Sequence, residues 1–205
     1  MSLRLLLAAH WLPQAVLRRE LDEVARRTTG ALDELLQQYA PEMLPQIRSA
    51  DAPMIGTLEQ RRAAMAAAHQ ARVAALLDRL GPQEAIRLGR EALFRVGLGL
   101  GQEARRRLGV GRGVGDVLRA ARVLYRVLGI HFRVQWHGGG QATLHVRRCA
   151  LAAHYSEMAC VVLSAADEGV VQGLYPGMSM AFAEYMTAGA PGCRAHLRLA
   201  GHGGG

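Results

Sequence analysis

The sequence predicts an α+β fold: N-terminal helices, then a β-hairpin, two helices and a closing strand, with a small antiparallel sheet packed on helices. Three observations lead there. Up to residue 128 the apolar residues recur at helical spacing. From Ile130 to Arg148 the period drops to two, the mark of half-buried strands. Helices come first and strands later, whereas a doubly wound sheet would alternate them. Half of the 205 residues are hydrophobic, enough for a sizeable core, and with only 5% aromatic residues Leu, Val, Ala and Met must fill it.

The elements follow in order. The apolar run Leu3–Leu12 carries Arg4, is interrupted by His10 and is followed by no small-x-small cleavage site. An amphipathic helix begins at once after it, so the run does not read as an export signal. Pro13 suits a first helical turn, and Val16, Leu17, Leu21, Val24, Leu32, Leu35 and Leu36 continue the period to Tyr39, with Gly30 as a point of interruption. Pro41, Pro45 and Pro53 mark a loop. Thr57 with Glu59 and Gln60 opens an Ala-rich helix to Leu80, Gly81-Pro82 breaks it, and a third helix runs from Gln83 to Leu108. Past Gly109, Gly111, Gly113 and Gly115, Asp116 is placed to cap a helix ending at Leu128. Ile130, Phe132, Val134 and Trp136 form one face of a strand, Gly138-Gly139-Gly140 a turn, and Gln141 to Arg148 the returning strand. Residues 150–165 and 168–187 read as helices, with Pro176-Gly177 starting or kinking the second, and Cys193 to Leu199 alternates as the closing strand. Residues 1–82 thus form a helical extension, 83–200 the α+β domain, and 201–205 a disordered Gly-rich tail.

The net charge is +8 and every basic residue but histidine is Arg. Arg119, Arg122 and Arg126 share a helix face, with Arg105, Arg106, Arg107 and Arg112 nearby, but such a stripe is usually a solvated face. The lack of Lys beside abundant Ala and Gly reads as GC-rich coding bias. Few aromatics and no recognition motif argue against a nucleic-acid partner. The glycine-rich turn follows a helix and matches neither the dinucleotide nor the P-loop spacing. No stretch approaches the ~20 apolar residues of a membrane span, so no membrane partner is expected. Three cysteines, an odd number all after residue 148, fit reduced thiols in a cytoplasmic protein better than a disulfide framework. A homo-oligomer is left open.

The C-terminal third gathers the reactive side chains: His145, Cys149, His154, Cys160, Asp167, Glu168, Glu184, Tyr185 and Cys193. Thiols, imidazole and carboxylates can hold zinc or supply a nucleophile and a base. Without CxxC or HExxH, the spacing alone favours small buried free cysteines.

Arg148-Cys149-Ala150, Met158-Ala159-Cys160-Val161-Val162, Asp167 and the run from Tyr185 to Leu197 resemble the L-2-amino-thiazoline-4-carboxylic acid hydrolase family. The C-terminal pattern also resembles the 4-vinyl reductase domain, a ligand-binding module related to the haem nitric-oxide-binding fold. The resemblance spans roughly the last 120 residues and centres on the last 55. It implies a hydrolase that opens a C–N bond of a thiazoline or cyclic amidine. Asp167 or a metal would activate water with His154 or Glu184 as proton donor, or Cys160 would attack with His154 assisting and Cys149 nearby. Cys193, Glu184, Tyr185 and Tyr155 would contact the substrate. The alternative it implies is a non-catalytic sensor or carrier for a small molecule, tetrapyrrole or metal. Some 4-vinyl reductase domains bind zinc; Cys160 and Cys193 fit two ligand positions, the other two fall near Phe182 and Tyr185, and Glu184 is the nearest substitute.

Overall fold

Local chemistry sets several helix starts. Thr57 accepts a hydrogen bond from the Gln60 N–H while the Gln60 side chain accepts one from the Thr57 N–H, a capping box that opens α4 (Leu58–Leu80). Ser156 accepts from the Ala159 N–H at 3.2 Å and caps α7 (Glu157–Leu174). In this computed structural model residues 2–111 and 113–200 are described. Arg112 of the basic stripe and the tail 201–205, expected to be disordered, lie outside the described residues.

Seven α-helices and four strands are present among the described residues. They run α1 (Leu3–His10), α2 (Gln14–Tyr39), α3 (Leu44–Ser49), α4, α5 (Pro82–Leu108), α6 (Val114–Leu128), β1 (Ile130–Gly138), β2 (Gln141–Cys149), α7, β3 (Met178–Glu184) and β4 (Cys193–Leu199). The strands form one antiparallel sheet in the order β1-β2-β4-β3. The α+β class therefore holds, with the sheet packed on helices.

One sheet face is apolar: Leu144 and Val146 of β2, Ala195 and Leu197 of β4, and Met178 and Met180 of β3. It buries against Val117, Ala121 and Tyr125 of α6 and Val171 and Leu174 of α7. The opposite face is polar, with Arg133, His145 and Arg194 aligned across β1, β2 and β4. Behind the sheet, α7 lies against α5 at backbone contact. A Cβ on Gly97 would come within 2.0 Å of the Ala166 carbonyl oxygen, and one on Gly169 within 2.2 Å of the Phe94 oxygen. Only glycine permits that approach.

The α2–α4 layer covers the far side of this pair. Leu32 and Leu36 share a core with Val73, Leu93 and Val162, so residues 1–82 pack directly on 83–200. A buried ion cluster clamps the layer: Arg72, 2% exposed, donates from Nε to Asp33 at 2.6 Å and from Nη2 to Asp51 at 2.7 Å. Each charge there has a partner, which is the condition for burying it.

Several elements differ from the sequence reading. The expected helices at 150–165 and 168–187 are one helix, α7, followed by strand β3. Pro176-Gly177 turns the chain into that strand, and pairing with β4 overrides the helix propensity of Met, Ala and Glu. Gly30 leaves α2 unbroken, since a single glycine costs only about 1 kcal/mol in a packed helix. Gly113, not Asp116, occupies the N-cap of α6, and Asp116 lies in the first turn, where its charge suits the helix dipole. The proline loop contains α3, with Pro45 in its first turn.

Candidate functional site

Cys160, Leu163, Ser164 and Asp167 of α7 recur three and four apart and so face one way. That face meets the end of β2, bearing Cys149, and the start of β4, bearing Cys193. A cavity of about 90 Å³ opens between them, lined by Cys149, Cys160, Cys193, Asp167, Tyr155 and Tyr185 among others. Six of the eight residues given a catalytic or substrate-contact role from the sequence thus share one cavity, whereas His145 and Glu168 do not line it. Its remaining wall is largely apolar, with Met65, Ile130, Val146 and Phe182.

The thiols are poor nucleophiles as they stand. Burial pushes Cys149 and Cys160 up to about 11 and raises Cys193 too, so all three are protonated at neutral pH. They act as small, polarizable wall groups with weak S–H donors.

Asp167 is the unusual group. Burial pushes its carboxyl up to about 7, the Tyr125 hydroxyl opposes the shift, and the neighbouring Glu168 adds to it. Glu168 itself turns away, accepting from Arg90 at 2.7 Å. Asp167 is half-buried and lines the cavity. The Tyr125 hydroxyl is buried and lies near Asp167, yet no hydrogen bond of ordinary geometry satisfies it. Both groups therefore offer polar capacity to whatever fills the space.

His69 and Thr28 complete the polar wall. His69 sits on the buried face of α4, with Nε2 2.7 Å from Thr28 Oγ1 and Nδ1 2.8 Å from the Tyr155 hydroxyl. Full burial, with Arg72 adding to it, pushes its pKa down to about 3, so the ring is neutral. The Thr28 hydroxyl donates to the Val24 carbonyl at 2.7 Å, so it accepts from Nε2–H. Nδ1 then accepts from Tyr155 O–H, which leaves the Tyr155 oxygen lone pairs free for the cavity. Sequence reading did not single out Thr28, His69 or Tyr125. The available signal was a titratable His in the apolar stripe Met65, His69, Val73, Leu76.

A second cavity of about 180 Å³ lies between α1, α2, α5 and α6, and it shares Val24, Thr28, Tyr125, Leu128, Ala166 and Asp167 with the first. The two chambers thus adjoin at Asp167. The outer chamber is apolar inside, and its rim carries Glu20, Glu103 and Arg107, with Arg107 paired to Glu20 at 2.7 Å.

Two selected residues lie elsewhere. His154 is exposed at the end of a 3₁₀ turn, Ala152–His154, and is not in the cavity wall. Glu184 is carried by a bulge after Phe182 to the outer sheet face, where it pairs with Arg194. There it lines an open groove of about 530 Å³ with Arg133, His145 and Arg147. The zinc set is therefore divided: Cys160 of α7 lines only the inner cavity and Glu184 only the outer groove, with Cys193 between them. Among the described residues no three His, Cys, Asp or Glu side chains are placed to hold a metal ion. The residues do not fit zinc.

No family model and no curated protein sequence matches this chain. Solved structures do resemble it. A trafficking protein particle complex subunit 3 from Naegleria fowleri, covalently bound to palmitic acid, superposes with a TM-score of 0.57 at 12% identity, over 69% of this chain and 96% of that one. The phenol-responsive sensory domain of the transcription activator PoxR, solved with phenol, gives 0.52 at 17% identity, over 65% and 74%. At such identities the likeness shows a shared fold. No helix among the described residues is long and apolar enough to cross a membrane.

Proposed function

We propose that this protein binds a small apolar molecule in the adjoining chambers, as a sensor or carrier module. The observation that carries the reading is the cavity itself: an apolar space deep in the fold with few polar groups, Asp167, Tyr125 and Tyr155, converging on it. That is the usual composition of a small-molecule site. The two similar folds lend support, since one was solved with phenol and the other with palmitic acid. A hydroxylated aromatic suits the inner chamber: its O–H would donate to Asp167 or Tyr155, and its ring would pack on Phe182, Ile130 and the sulfurs. Native mass spectrometry of the protein as purified, followed by calorimetric titration with phenols and with fatty acids, tests this. A protein that carries nothing and binds neither class would end the proposal.

A second reading is favoured by one group. A carboxyl with a pKa of about 7 is matched to general acid–base work at neutral pH. On that reading Asp167 would activate water against a thiazoline or cyclic amidine C=N carbon, as the family resemblance implies. His154 and Glu184 do not line the cavity, so Tyr125 would take the role of proton donor. Incubating the protein with aminothiazoline carboxylate separates the readings: turnover abolished by Asp167→Asn supports the hydrolase, and binding without turnover supports the sensor or carrier.

A further inference from the structure

Most large apolar side chains of this protein are buried, yet α1 exposes three together: Leu3 at 71%, Leu7 at 62% and Trp11 at 74%. They stand one turn apart, Leu3 and Leu7 on the helix and Trp11 at its C-cap, so they form a stripe. The other exposed large apolar residues, Ile55, Trp136 and Met158, lie on three separate segments. The inner face of the same helix is anchored: Leu5 is fully buried in the sheet-side core and Ala8 lines the outer chamber. The stripe is thus held outward by a helix that cannot turn it inward.

The carboxylates Glu20 and Glu103 of the outer-chamber rim are paired with Arg107 and Arg27, and further arginines stand beside the stripe. Arg4 lies on α1. Arg126 of α6 donates from Nη2 to the Ala9 carbonyl at 2.7 Å. Gly109 packs against Ser2, so a Cβ there would meet Ser2 Oγ at 2.8 Å, which brings the Arg105-Arg106 end of α5 to the start of α1. None of these four arginines has a carboxylate partner among the described residues, whereas Arg19, Arg27, Arg87, Arg95 and Arg107 are all paired. An apolar stripe bearing Leu and Trp, bordered by uncompensated arginines, matches in composition the surface of a bilayer containing anionic lipid.

We infer that α1 docks this protein peripherally on an anionic phospholipid surface, with Leu3, Leu7 and Trp11 entering the headgroup region and Arg4, Arg105, Arg106 and Arg126 facing lipid phosphates. At eight residues α1 is far too short to span a membrane, so it lies along the surface. Docking there sets the outer chamber, walled by Ala8, against the bilayer, a direct path for an apolar molecule. That path rests on the ligand-binding reading, and the docking does not.

The test is flotation of the full chain with vesicles of phosphatidylcholine, with and without phosphatidylglycerol, read together with tryptophan emission in a Trp136→Phe background so that Trp11 alone reports. The expected result is flotation and a blue shift only with phosphatidylglycerol, weakened by salt, about fivefold weaker in Arg4→Gln, and lost in Leu3→Ser/Leu7→Ser. Because the substituted residues are exposed, circular dichroism should show both variants folded. The inference is overturned by absent flotation, by flotation unchanged in Leu3→Ser/Leu7→Ser, or by a lipid-free dimer that buries Trp11. Failure of phenol and fatty-acid binding with flotation intact would remove the ligand reading and leave the docking standing.

Discussion

At the scale of single residues, Asp167 and His69 hold opposite electrostatic liabilities. The fold keeps Asp167 protonated up to about pH 7, while an unfolded Asp ionises near its ordinary 3.8. Between those values the unfolded state has shed a proton that the folded state retains, so stability falls as pH rises through that window and levels off above it. His69 works the other way. Its folded pKa of about 3 lies below the ordinary 6.5, so stability falls as pH drops from 6.5 toward 3. From pH 4 to 6.5 the two slopes cancel. Asp167→Asn should therefore be more stable than the wild type at pH 8 by on the order of 2–4 kcal/mol, with no advantage at pH 4, in urea unfolding at the two pH values. It should also expose the His69 slope, losing stability below pH 6.5. Nitrogen NMR of the imidazole should find His69 neutral at pH 5, with the proton on Nε2; a charged ring there would refute the assigned network of Thr28, His69 and Tyr155.

At the scale of elements, the α5–α7 contact fixes where Ala166 and Asp167 stand, and its glycines give a paired prediction. Gly97→Ala must push its Cβ into the Ala166 carbonyl, which backbone cannot yield cheaply, so it should cost about 2–4 kcal/mol. Gly99, two residues on, has no atom within 4 Å of a built Cβ, and Gly99→Ala should gain up to about 1 kcal/mol from helix propensity. Thermal or urea unfolding of the two variants, side by side, checks both signs. The same contact shows what the sequence could carry. The helices and the closing strand Cys193–Leu199 are local patterns of period and punctuation, and they were legible. Strand β3 was not, because Met178-Ser179-Met180-Ala181-Phe182-Ala183-Glu184 favours a helix by residue type and becomes a strand only beside β4. In the site, Cys149, Cys160, Asp167 and Cys193 could be chosen by chemistry, and they do share a cavity. Thr28 and His69 come from helices far upstream, and no spacing along the chain links them to Tyr155. Glu184 was misplaced because its segment read as a helix, whereas it ends strand β3, where a bulge after Phe182 sets the face it occupies.

For the molecule as a whole, the chambers lie where the core of the sheet, the α2–α4 layer and the α5–α7 pair meet, so occupancy should couple to global stability. A ligand that binds only the folded state adds RT ln(1 + [L]/Kd), about 2.7 kcal/mol at a hundredfold excess over Kd. For a chain of this length that is a rise in Tm of roughly 5–10 °C. The geometry also separates two ligand sizes. A phenol fits the inner chamber beside Asp167 and Phe182, whereas a fatty acid is too long for the inner chamber alone and must pass Ala166, which lines both. Ala166→Met places a flexible side chain at that junction with little strain, because it extends into open space. The expected outcome in differential scanning calorimetry is that the variant keeps its phenol-induced rise in Tm and loses the rise induced by palmitate. If both ligands still stabilise the variant equally, the chambers do not act as one continuous site; if neither stabilises the wild type, apolar ligand binding is not what the space between these layers is for.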